Sequence, residues 1–170
     1  MEIDAHHETK TTAVPLLVAD WMVDPEAVVT TCAARIDHGS TMRIVVPAWL
    51  HGLDWAGDPW VSVPCAQRQL ERIRQLCPAA GLDVIATEIG DPDPVSAICD
   101  AVAAGDVDRI LLFARGRHVS ARYPLSVARR VERLTGLPVH AFATPLVPRP
   151  SRRRRLVSGH CEPAQTPQLA

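Results

Sequence analysis

The chain has 170 residues, enough for one domain with a proper core, because a chain of about 150 residues buries roughly two thirds of its unfolded surface. At 47% hydrophobic and 22% charged it has the composition of a soluble globular protein, which excludes a disordered or fibrous class, and an aromatic share of 4% leaves the core to Val, Ile, Leu and Ala. The net charge of -1 is uneven: Thr144 to Ala170 holds Arg149 and Arg152 to Arg155 against Glu162, a net +4, which leaves -5 on Met1 to Ala143.

The chain opens MEIDAHHETKTT, a polar stretch read as a disordered N-terminus over residues 1-12 without the features of a secretion signal. Ala13 to Ala19 is a short continuous apolar run, as in a strand buried on both faces. Asp24-Pro25-Glu26 supplies a helix cap, a proline at the first helical position and an acid in the first turn, predicting a helix to about Ile36 that ends at His38-Gly39. Met42 to Pro47 reads as a second strand, Gln67 to Leu76 repeats apolar residues at helical spacing, and Leu82 to Ile89 is a third strand. Asp93-Pro94 repeats the cap-plus-proline signal for a helix through Ala104, with Asp93 as the cap. Asp108 to Phe113 is a fourth strand, Pro124 to Thr135 a helix closed by Gly136, and Leu137 to Ala143 a fifth strand. The end, with its prolines and the run SRRRR, reads as a disordered basic tail over residues 145-170.

Strands alternating with helices over residues 13-144 predict one α/β domain: a five-stranded parallel sheet with helices on both faces, Rossmann-like. Ligands of such sheets bind beyond the carboxyl ends of the strands, where the strand order reverses. The residues to watch are therefore Asp20 to Met22, Pro47 onward, Gly90-Asp91 and the segment from Arg115. The connection Trp49 to Pro64 is long for this class and holds Trp49, Trp55 and Trp60, so it either folds over its own sheet or meets a protein partner. His51 in that loop is read as incidental. Five cysteines (Cys32, Cys65, Cys77, Cys99, Cys161) show no ligand spacing, which argues against a metal, and Cys32, Cys77 and Cys99 fall in helical patterns as small hydrophobes. No stretch approaches the roughly 18 apolar residues of a membrane span, and a cytoplasmic location is expected.

In order and spacing, LLVAD ending at Asp20, IGDPDPVSAICDAV, and LSVARRVERLTGLPVHAF with Ser126 and Pro138-Val139 together resemble the universal stress protein family. The resemblance implies a nucleotide-binding regulatory fold, ATP or AMP as ligand, and a homodimer formed through the last strand, Val139 to Ala143. The departure lies in FARGRHVSARYPLS, where the family's ATP-binding members carry a loop with three glycines. Here only Gly116 remains, and Leu125 stands where the third glycine is expected. Glycines serve such loops because backbone N–H groups must come close to phosphate oxygens at φ values that a β-carbon disfavours.

Between Asp108 and Glu132 six arginines and His118 occur with no acid, which offers an arginine-based anion site in place of a glycine-based one, or else a solvated basic edge. The candidate nucleotide-binding residues are Asp20, Gly90, Arg115, Gly116, Arg117, Arg122 and Ser126, with Asp91 beside them. Asp20 could equally cap the turn before Asp24. No nucleophile stands with a base at a recognisable spacing, so a non-catalytic protein is expected. The alternative is a dimerising interaction scaffold that has lost nucleotide binding, and a nucleotide-dependent enzyme is the remote third. The tail arginines lack interleaved aromatics and point to no specific nucleic acid.

Overall fold

The structure, a computed structural model, describes residues 13–51, 56, 58, 60–116 and 126–144. The two terminal segments read as disordered lie outside the described residues. Five strands, β1 (Val14–Ala19), β2 (Thr41–Pro47), β3 (Asp83–Gly90), β4 (Val107–Ala114) and β5 (Val139–Ala143), form one parallel sheet in the order β3-β2-β1-β4-β5. Among the described residues four α-helices lie between them: α1 (Pro25–Ala33), α2 (Val63–Leu76), α3 (Pro94–Ala103) and α4 (Val127–Thr135).

Side chains alternate across a strand, so each inner strand feeds two cores. Leu17 and Ala19 of β1, Met42, Ile44 and Val46 of β2, and Leu111 and Phe113 of β4 pack with Val28, Cys32, Ala66 and Ile73 of α1 and α2. Leu16, Val18, Val45, Ile110 and Leu112 pack on the other face with Val95, Ile98, Val127 and Val131 of α3 and α4. All six residues of central β1 are buried, whereas β3 and β5, at the two edges, are mostly half-buried or exposed.

Asp24 and Asp93 cap α1 and α3 as predicted, each with extended backbone and a carboxylate accepting from an N–H two residues on. α1 is shorter than predicted, since the N–H groups of Arg35 and Ile36 both reach the Cys32 carbonyl and the last turn tightens beyond Ala33. α4 begins at Val127 and not at Pro124: Ser126 is extended (φ -62°, ψ 149°) and its hydroxyl accepts from Arg129 N–H at 3.4 Å. Gly136 closes α4 in the left-handed region (φ 69°), where a β-carbon would be strained.

Candidate functional site

The strand order reverses between β1 and β4, so their carboxyl ends open a crevice flanked by β2. Asp20 is the first residue beyond β1, and its N–H still donates to the Phe113 carbonyl at 2.8 Å, one step past the regular ladder. That bond fixes the carboxylate just beyond the carboxyl end of β1, at the point where the strand order reverses, and the residue is fully buried. Oδ1 accepts from Met22 N–H at 3.0 Å and lies 2.9 Å from His51 Nε2. Among the described residues Oδ2 has no hydrogen-bond partner; it faces Arg115 Nε at 3.8 Å, itself buried and without an acceptor there.

Arg115, the first residue beyond β4, also hydrogen-bonds through Nη2 to His51 Nδ1. A guanidinium can only donate, so Nδ1 carries the lone pair and Nε2 the proton. His51 is thus the neutral Nε2–H tautomer, donating to Asp20 while accepting from Arg115. The cluster holds one carboxylate and one guanidinium, a compensated pair with a neutral ring between them. Removing an ionised side chain from water costs several kcal/mol unless a counter-charge and hydrogen bonds offset it, which is the task of Arg115 and His51 at Asp20.

Aromatic rings fix the imidazole in place. Trp21 Nε1 donates to the Trp49 carbonyl at 2.7 Å, which ties the turn after β1 to the loop after β2. The Trp21 ring lies 5.2 Å from that of His51 at 59°, and the Trp49 ring stacks on it at 5.7 Å and 27°. The loop's far end is anchored too, since the buried Ser62 hydroxyl donates to the Ala48 carbonyl and Gln69 Nε2 to the Val23 carbonyl at 2.9 Å.

No protein-family model matches the chain, and no curated protein matches it in sequence. Among solved structures it is similar to a universal stress protein from Archaeoglobus fulgidus, with 21% identity over 76% of this chain and 97% of that one and a TM-score of 0.51. It is also similar to a universal stress protein in complex with cAMP, with 17% identity over 79% of this chain and 100% of that one and a TM-score of 0.52. The chain has the universal stress protein fold.

On this universal stress protein fold the candidate residues divide. Asp20 and Arg115 meet in the crevice, and Gly116 follows Arg115 with space around its α-carbon, the nearest atom to a β-carbon there being Ala143 Cβ at 3.9 Å. Gly90 is set by packing: a β-carbon would come within 2.5 Å of Ala97 Cβ on α3. Asp91 accepts from the Asp93 N–H at 2.7 Å and shapes the turn before α3. Ser126 is buried as the α4 cap. Arg117 and Arg122 lie outside the described residues, as does Leu125.

The tryptophans divide as well. Trp49 folds over its own sheet, Trp60 is 60% exposed, and Trp55 lies outside the described residues. His51 is the residue the sequence reading set aside and the structure puts at the centre. Its signal was positional, four residues beyond the end of the strand next to β1. Among the described residues no group of three His, Cys, Asp or Glu side chains could hold a metal ion, and no helix is long and apolar enough to cross a membrane.

Proposed function

We propose that the chain is a non-catalytic, nucleotide-binding regulatory protein of the universal stress type, with its ligand at the β1/β4 crevice. The observation that carries this reading is Asp20 Oδ2, a fully buried carboxylate oxygen at the switch point with no hydrogen-bond partner among the described residues. Such an oxygen is suited to a donor on a ligand, a ribose hydroxyl or a base amino group, and Arg115 beside it is suited to a phosphate oxygen. The complex of a similarly folded universal stress protein with cAMP supports the same ligand class. The non-catalytic part rests on the sequence, in which no nucleophile stands with a base at a recognisable spacing.

The second reading, an interaction scaffold without nucleotide binding, draws on the burial of Asp20 beneath His51, on which the Trp49 ring stacks. Either way we propose a cytoplasmic homodimer through edge strand β5, where His140, Ala141 and Ala143 are exposed.

Calorimetric titration with ATP, ADP, AMP and cAMP separates the two readings. The nucleotide reading expects micromolar binding by the wild type, weakened tenfold or more, about 1.4 kcal/mol, in both Asp20→Asn and Arg115→Ala. Comparing Arg115→Ala with the triple alanine variant at Arg115, Arg117 and Arg122 then isolates what the loop arginines add. Absence of heat with all four ligands favours the scaffold.

A further inference from the structure

We propose that His51 is a proton-operated latch on Arg115. The tautomer assigned above is the only one that satisfies both neighbours, since Arg115 must donate to Nδ1 and Asp20 can accept only from Nε2–H. Among the described residues the groups facing the ring are Asp20 at the end of β1, Arg115 at the end of β4, and the Trp21 and Trp49 rings.

When Nδ1 takes a proton from solvent, its lone pair is gone. The Arg115 guanidinium loses its acceptor and meets a second positive charge in its place. The imidazolium keeps its bond to Asp20 through Nε2–H, and that bond is strengthened by the new charge. Asp20 Oδ1 is therefore held by His51, while among the described residues Arg115 retains the 3.8 Å approach of its Nε to Oδ2. The Arg115 side chain is 27% exposed, whereas those of His51 at 8% and Asp20 at 0% are buried. Protonation thus turns the cluster from net zero to net +1 and presents a freed guanidinium at the crevice.

The consequence for affinity rests on the nucleotide reading: phosphate-bearing ligands bind more tightly as the pH falls. The latch itself stands without a ligand, so the two can fail separately.

The first test is long-range ¹⁵N–¹H NMR of the imidazole side chains of the wild-type protein from about pH 8 to about pH 5, the window in which imidazole alone among unperturbed side chains changes charge. The latch predicts that His51 Nδ1 is the unprotonated nitrogen at the upper limit and gains its proton within the window. It also predicts a tryptophan fluorescence change over the same pH range that is absent in His51→Gln. In Arg115→Ala the His51 transition moves to higher pH, because the repelling charge is gone. An Nε2 that is unprotonated at the upper limit, an Nδ1 that stays unprotonated throughout, or a transition that does not move in Arg115→Ala overturns the proposal; the NMR arm needs no variant to fold.

The second test is cAMP titration at both limits, chosen because a phosphodiester keeps one charge throughout. Affinity rises severalfold on acidification in the wild type and not in His51→Gln. A normal His51 transition with no cAMP binding at either limit upholds the latch and overturns the nucleotide reading.

Discussion

Asp20 shows how much one residue's environment decides. Its carboxylate is fully buried, and its compensation comes from two side chains 31 and 95 positions further along the chain. Truncating it to alanine leaves the partly buried Arg115 without its counter-charge, and a loss of about 3 kcal/mol in urea unfolding is expected. Asp20→Asn, which keeps an oxygen for Met22 N–H and His51, should lose clearly less. Both Asp20 and Arg115 were legible in the sequence because each is the first polar residue after an apolar run, LLVAD and LLFAR. His51 was not, because nothing in WLHGLDW distinguishes it; its role depends on β2 lying next to β1, a tertiary fact. The core thiols carry a separate prediction. Burial pushes Cys77 up to about 11, and burial together with the nearby Cys77 raises Cys32 well above the ordinary thiol range. The folded state then holds protons that the unfolded state releases, so this stability is full below the ordinary thiol value and lost as the pH rises past it. The urea midpoint should fall between about pH 8 and about pH 10.5, and should fall less in Cys32→Ala.

At the scale of the element, local chemistry explains most boundaries. Asp24-Pro25 and Asp93-Pro94 each combine a side-chain acceptor with a residue whose missing N–H costs nothing in the first turn, and both helices start where those pairs predict. For α4 the cues competed: proline at 124 suggested a start, but the Ser126 cap sets it three residues later, at Val127. Ser126→Ala should therefore cost about 1 kcal/mol as the loss of a cap. Gly90 behaves differently from Gly116, although both read as site glycines. At Gly90 a methyl group would meet Ala97 at 2.5 Å and Val45 at 3.1 Å, so Gly90→Ala should cost about 1–3 kcal/mol by pushing α3 off the sheet. Gly116→Ala should leave stability within about 0.5 kcal/mol, since 3.9 Å is ordinary contact. Thermal unfolding of the three variants beside the wild type checks this ranking. The tryptophan loop was half legible: its apolar content called for cover, but only the fold shows Trp49 inside and Trp60 outside.

For the whole molecule, alternation of apolar runs and helical periods was enough to identify a parallel α/β sheet. The order β3-β2-β1-β4-β5 is what turns that class into a site, because it brings the ends of β1 and β4 together and sets the loop after β2 beside them. Burial follows the same order, with β1 wholly inside and β5 exposing three of its five residues as an edge available to a second copy. The central claim is that a nucleotide occupies the crevice between Asp20 and Arg115. Its most direct test is backbone amide NMR of the wild-type protein during titration with AMP. The account predicts that the largest shifts cluster at Asp20 to Met22, Ala48 to His51 and Arg115-Gly116; largest shifts elsewhere, such as along edge strand β3, or no shifts at saturating ligand, would contradict it.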